Sequence, residues 1–354
     1  SLSERQIRRV VRRIQQEGDE GIRHKSRGRQ SNRKIPLKVK DRIIGLYRQK
    51  YQGFGPTLTA EKLFELDGIP VSKETVRTFL IESGDWQKGR KRRKYRQWRQ
   101  RKEHRGEMLQ MDGSHHDWFE GRGPWCVLMA YIDDATGRVY GRFYEYEGTI
   151  PAMDSFKRYI RKYGLPMQLY LDKHTTYKST AKLTIEEELQ GIEPMSQFER
   201  AMKELAVDVI HAHSPQAKGR IERLFGTLQD RLVKEMRLHS VSSIEEANRF
   251  LQEYLPVYNR KFTVKAVSKE DMHRPVHRGT DLEKILCIKT DRTVKNDNTI
   301  AYERKLYQIE ESTLSRKVTV EERIDGNLSI PKHFALTHYQ HLTVDSFLDC
   351  NLPA

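Results

Sequence analysis

Residues 125–133 read WCVLMAYID, an almost unbroken apolar run closed by the turn sequence DDATG (133–137). A run of this length without alternation suits a central β-strand, because successive strand side chains leave on opposite faces and here both faces shun water. The DDATG segment is a hairpin signal, and residues 107–113 and 138–146 read as strands on either side of the run. Residues 150–163 read as a helix, MQLYLD (167–172) as a fourth strand and VDVIHA (207–212) as a fifth. Long helices follow over 216–239 and 244–260. In the second, Ser243 and Glu246 form a capping box, and Ile244, Ala247, Leu251, Tyr254, Leu255 and Tyr258 line one face. Three antiparallel-type strands, then helix, strand, strand and helix, define an α/β domain over 106–265. The charged segment 179–205 reads as one or two inserted helices. Beyond it, residues 285–309 alternate around KNDN (295–298) and residues 317–330 around Asp325-Gly326. Residues 280–345 are therefore expected to form a small all-β, barrel-like domain.

Charge divides the chain differently. The net charge is +16, yet residues 1–105 hold 30 Lys/Arg against 12 Asp/Glu, and the remainder 35 against 37. Such asymmetry points to a nucleic-acid-binding module joined to a near-neutral body. Residues 3–17 read as a helix capped by Ser3 and Gln6, and 18–34 as a basic arm. Residues 35–87 hold three helices, at 37–50, 58–66 and 73–83. The last two are separated by Asp67-Gly68, and Ser72 caps the third. Two short helices around a Gly-containing turn make a helix-turn-helix, whose second helix enters the major groove. Lys73, Arg77 and Thr78 are its candidate DNA contacts. The linker 88–105 carries 11 Lys/Arg and one acid. Arg90, Lys91, Arg92, Arg93, Lys94 and Arg96 are expected to bind phosphate without regard to sequence.

Three carboxylates carry the candidate chemistry. Asp112 (LQMDGSHHDWF) and Asp172 (MQLYLDKHTTY) each end an apolar, strand-like run. Glu222 (SPQAKGRIERLFGTLQ) lies at the edge of the helical stripe Ile221, Leu224, Phe225, Leu228 and Leu232. Carboxylates suit magnesium, a hard cation that takes oxygen ligands. Two such ions about 4 Å apart stabilise both the attacking and the leaving oxygen of an in-line displacement. Asp133 and Asp134 are a rival pair, but they sit in a Thr-Gly turn where Asp favours local backbone bonding. His115, His116 and His174 are candidates to support the carboxylates from behind. Lys218 and Arg220, beside Glu222, are candidates to hold DNA backbone.

Cys126, Cys287 and Cys350 are too widely spaced for a disulfide framework or a zinc site. No run of 18 apolar residues and no signal-peptide pattern occurs, so the sequence predicts a cytoplasmic, nucleoid-associated protein of bacterial type with no membrane partner.

The segments around these residues resemble the insertion-sequence DDE transposases of the integrase-core superfamily, which includes the retroviral integrases. SPQAKGRIERLFGTLQDRL (214–232) is similar to the stretch around that family's catalytic glutamate, YLPVYNRKF (254–262) to a Tyr-Asn segment after its core, and TVKNDNTIAYERKLYQI (293–309) to its C-terminal β-domain. The resemblance implies a ribonuclease H-like catalytic core over 106–265, and part of a first helix-turn-helix over 1–34. It also implies two magnesium ions, replaceable by manganese, with Asp112 touching both and Asp172 and Glu222 one each. It implies transposon terminal inverted repeats and target DNA as partners, and at least a homodimer on paired ends. The 50-residue interval from Asp172 to Glu222 exceeds that of retroviral-type cores. The alternatives are a domesticated DNA-binding protein without catalysis and a structure-directed nuclease.

Overall fold

The computed structural model describes residues 3–23, 35–87, 89, 99–172, 195–211, 219–309, 316–330 and 336–339. They fall into two units, residues 1–91 and 92–354.

In the first unit, α1 (Glu4–Glu17) opens on the expected Ser3–Gln6 capping box. Then α2 (Leu37–Lys50), α3 (Pro56–Asp67) and α4 (Lys73–Glu82) enclose Ile43, Tyr47, Tyr51, Phe54, Leu58, Leu63, Val76 and Leu80. Helix α3 starts two residues earlier than expected. Pro56 occupies its first turn, where the missing N–H has no helical partner to lose. The helix ends at Gly68, whose φ of 66° lies in the left-handed region. Ser72 then accepts from the Thr75 amide and starts α4. Five residues, 68–72, lie between the two helices.

The second unit is built on a five-stranded sheet of order β3-β2-β1-β4-β5. Its strands are β1 (Met108–His116), β2 (Cys126–Asp133), β3 (Val139–Tyr144), β4 (Gln168–Leu171) and β5 (Asp208–His211). The first three pair antiparallel, while β4 and β5 run parallel to β1. All eight residues of β2 are buried. Val127, Met129 and Tyr131 pack towards α5 (Thr149–Tyr163) and α6 (Gln197–Glu204). Leu128, Ala130 and Ile132 pack towards α7 (Gly219–Leu238) and α8 (Ile244–Phe262). The apolar run is thus the middle of a helix–sheet–helix sandwich, in which each fully covered side chain contributes about 1.5–3 kcal/mol. This is the ribonuclease H-like arrangement.

Strand β3 ends the sheet, and α8 covers its outer edge with two asparagine amides. Asn259 accepts from the Val139 N–H (2.7 Å) and donates to its carbonyl (2.8 Å). Asn248 does the same at Phe143 (2.8 and 3.0 Å). Each amide thereby stands in for one residue of a missing neighbour strand.

Two expectations are corrected. Residues 197–204 are no insertion. They form α6, the crossover helix that the parallel pair β4–β5 requires, with Phe198, Ala201 and Met202 buried in the core. The rest of the segment, 179–194, lies outside the described residues. Nor does KNDN join two paired strands. Strand β6 (Ile288–Thr293) pairs with β9 (Lys317–Glu322), which also pairs with β10 (Leu328–Ser329). Strand β7 (Thr299–Tyr302) pairs with β8 (Lys305–Ile309) across Glu303-Arg304, and β8 pairs with β11 (Leu336–Tyr339). Both turn residues have positive φ (47° and 62°) without glycine or asparagine to signal it. The two three-stranded sheets share one core of Ile300, Tyr302, Ile309, Val318, Val320 and Ile330. Among the described residues no helix is long and apolar enough to cross a membrane.

Replacing Asn259 by Ala strands the buried N–H and C=O of Val139, at a cost of about 1–3 kcal/mol for each unsatisfied group. The expected outcome is a lower melting temperature, with amide exchange accelerated first in β3. Unchanged exchange at Val139 would contradict the role of the clamp.

Candidate active site

Strand β1 continues four residues past Asp112, so this aspartate sits in mid-strand and not at a strand end as expected. Polar residues carry the ladder on because backbone pairing with β2 persists as far as His116↔Cys126. On the other side the ladder with β4 stops early. The pairs Met108↔Gln168, Leu109↔Leu169 and Gln110↔Tyr170 share an offset of 60. Two positions further on, that offset brings Asp112 level with Asp172, the residue just after β4. Strand β4 itself ends at Leu171, one residue before Asp172.

The third carboxylate comes from the helix that lies along β1. Gln110, Asp112 and Ser114 alternate onto one face. The Gln110 Oε1 accepts from the Ile221 N–H (3.2 Å), and Gln229 Nε2 donates to Ser114 Oγ (3.2 Å). Eight helical residues, about 12 Å, thus span four strand residues, about 13 Å. Asp112 lies between these contacts, and Glu222 follows directly on Ile221. Asp112 is half-buried, whereas Asp172 and Glu222 are exposed. The aspartates therefore share a level, and Glu222 stands exposed on the adjoining helix, one residue after Ile221. Among the described residues, however, no three His, Cys, Asp or Glu side chains are gathered closely enough to enclose an ion.

Asp133 and Asp134 serve the framework, as the turn sequence suggests. Asp133 caps its own turn, accepting from the Thr136 amide and hydroxyl and from the Gly106 N–H. Asp134 is fully buried. It accepts from Gln110 Nε2 (3.0 Å), the Lys102 N–H (2.9 Å), Arg220 Nε (2.8 Å) and the Arg99 guanidinium. Arg220 is therefore corrected from a DNA contact to an internal one: its side chain is only 9% exposed, and it also donates to the Arg99 carbonyl. Arg101 packs close by, and burial together with the nearby Arg220 charge pushes its guanidinium below its ordinary pKa. The end of the basic linker is consequently spent on the core. Arg99 pairs with Asp134, Lys102 with Glu107 and Arg105 with Asp271.

His115 stacks on Trp125 from the face opposite Asp112, and His116 meets the edge of Trp118. Four residues along a strand is about 13 Å, so His116 is out of Asp112's reach and His115 is turned away from it. In the first unit Lys73 and Thr78 are exposed on α4, whereas Arg77 pairs with Glu74 and lies over Trp86. His174, Lys218, Arg90, Lys91, Arg92, Arg93, Lys94 and Arg96 lie outside the described residues. Sequence reasoning missed Gln110, whose only signal is an amide inside an apolar strand. It also missed Glu147, whose carboxylate lies where a side chain at Gly113 would have to go, within 2.6 Å of that Cβ position.

Removing the Asp134 carboxylate leaves Arg220 buried without its partner. The Asp134→Ala variant is expected to lose about 3–5 kcal/mol, read by denaturant unfolding of the catalytic unit. Fluorescence from a probe at Glu222 should report release of the first turn of α7 before global unfolding. A loss under 1 kcal/mol would show that Asp134 is not the anchor.

The Homeodomain-like domain family matches residues 6–80, the first helical unit. A protein of Sinorhizobium fredii named transposase y4bF is 40% identical over 317 residues, 89% of this chain and 68% of its own length. The transposase for insertion sequence IS1202 of Streptococcus pneumoniae is 30% identical over 346 residues, 87% of this chain and 72% of its own. Among solved structures, a chain of the simian T-cell lymphotropic virus intasome in complex with PP2A regulatory subunit B56 gamma is similar at a TM-score of 0.39 and 14% identity, covering 85% of this chain and 99% of that one. The HTLV-2 integrase catalytic core follows at 0.31 and 16%, covering 42% and 82%. Similarity at that level adds nothing to what the strand order already shows. The transposase relatives, aligned across both the helical unit and the sheet, place the chain among the insertion-sequence DNA transposases.

Proposed function

We propose that this polynucleotidyl transferase binds the terminal inverted repeats of its element through the helix-turn-helix unit, and cleaves and joins DNA strands at Asp112, Asp172 and Glu222. The observation that carries this reading is the 60-residue register between β1 and β4, which sets two aspartates level where the strands part. The helix bearing Glu222 is pinned alongside. In the first reaction water adds to phosphorus and the 3′-oxygen of the element end leaves as a hydroxyl. In the second that 3′-hydroxyl adds to a target phosphodiester and displaces the target's own 3′-oxygen, which takes up a proton. No protein–DNA bond forms. Two ends must react in concert, so the active species on DNA is at least a dimer.

The donor set fits magnesium, or manganese in its place, in kind: three carboxylates, all oxygen donors. Asp112 would hold two ions, with Asp172 and Glu222 each holding one of them. When bound, such ions lower the pKa of the attacking hydroxyl and neutralise charge on the phosphate. The chain's own contribution is positional. Asp112 is held rigid by its ladder with β2. The first turn of α7 is fixed through Gln110 and through Arg220 on Asp134. The alternative is a DNA-binding protein of the same fold without catalysis.

Strand transfer by the purified chain on a pre-cleaved element-end oligonucleotide, with magnesium or manganese, separates the two. The expected result is joined product that falls to background in Asp172→Asn and in Asp112→Asn while end binding is unchanged. Tight binding without any nicking or joining by the unaltered chain would establish the non-catalytic reading.

A further inference from the structure

Away from the carboxylates, a groove of about 640 Å³ runs along the outer edge of β3 between α5 and α8. Five cations from three elements line it: Arg138 and Arg142 from the β3 segment, Arg158 and Lys162 from α5, and Arg260 from the end of α8. No carboxylate does. Asp154, behind the groove, lies 2.8 Å from Arg158 and 3.6 Å from Arg142, and the buried Arg142 Nε makes no hydrogen bond. Arg138, Lys162 and Arg260 are exposed and have no carboxylate partner among the described residues. Arg138 and Lys162 instead crowd the ring of Tyr163 at 5.5 and 5.4 Å, with Arg105 at 5.8 Å. Like charges gathered in this way repel one another unless an anion answers them.

The floor narrows the choice of anion. The asparagine clamps already occupy the backbone of Val139 and Phe143, so a peptide strand cannot add to this edge. Between the clamps, Gly141 turns its N–H and C=O outward by the alternation of the ladder. At about 640 Å³ the groove is larger than one phosphate needs, and its cations come from three elements. We infer that it holds the sugar–phosphate backbone of duplex DNA, without regard to sequence, as a second DNA site on the catalytic unit. The choice of DNA among polyanions rests on the transposase reading.

The test uses the full chain. Lys162 is probed by reductive methylation with and without a 20-base-pair duplex of arbitrary sequence. In parallel, the salt dependence of binding to that duplex is compared between the unaltered chain and Arg138→Ala/Lys162→Ala/Arg260→Ala. The proposal expects Lys162 to be shielded by DNA. It also expects the slope of log affinity against log salt to shrink by about 2–3, at roughly 0.9 per lost phosphate contact, and to be largely restored by Arg138→Lys/Arg260→Lys on an otherwise unaltered chain. Should the triple variant fail to fold, the shielding of Lys162 decides. Lys162 that stays reactive on DNA-bound protein, or a slope unchanged in a folded variant, overturns the proposal. So does shielding that grows with protein concentration in the absence of DNA, which would show a second copy seated in the groove. The joining assay reads separately: its failure with Lys162 still shielded leaves the groove standing as a DNA site.

Discussion

A single buried carboxylate ties the catalytic unit together. Asp134 has no exposure to water, and an uncompensated charge there would cost several kcal/mol. Its four donors come from three separate stretches: the end of the basic linker, the middle of β1 and the first turn of α7. Because each must arrive for the charge to be satisfied, the linker, the central strand and the helix bearing Glu222 acquire fixed positions together. Gln110 extends the link by bonding Asp134 with its amide nitrogen and the Ile221 N–H with its oxygen. Asp112 and Glu222 thus stand two positions from Gln110 and Arg220, which bond this buried charge.

Side-chain amides solve a second problem, how a sheet ends. Asn259 and Asn248 close the edge of β3. Gln197 of α6 does the same for the C-terminal domain, donating to the Lys289 carbonyl and accepting from its N–H. Arg200, one turn on, donates to the carbonyls of Ile285 and Cys287. The crossover helix therefore both fills the core and docks the β-domain. A carboxamide can do this because it carries a donor and an acceptor at the spacing of a peptide group. It covers an edge strand without inviting another strand to pair.

Much was legible from local pattern. The unbroken apolar run at 125–133 had to be an inner strand, and the helices of the first unit announced themselves through Ser3, Ser72 and the turn at Gly68. Other features had no local signature. The β7–β8 turn uses Glu303 and Arg304 at positive φ, held there by the pairing around them. Arg220 looks like any surface arginine on a basic stretch, and only the burial of Asp134 turns it inward. His115 and His116 follow an aspartate closely in sequence, yet the pleat sends one to Trp125 and the other about 13 Å along the strand.

Residue type and periodicity by themselves determined that this chain builds a basic helical module on a layered α/β body, and that three of its acids stand in settings suited to phosphoryl transfer. Hydrophobic spacing and capping are local and survive in a one-dimensional reading. The tertiary structure decided which acids share a level. Asp112 and Asp172 are 60 residues apart and come level only because β1 and β4 pair at that offset, while Asp133 and Asp134, adjacent and more conspicuous, are drawn into turn and anchor. Register and burial arise from contacts between distant segments, and no short stretch of sequence contains both partners of such a contact.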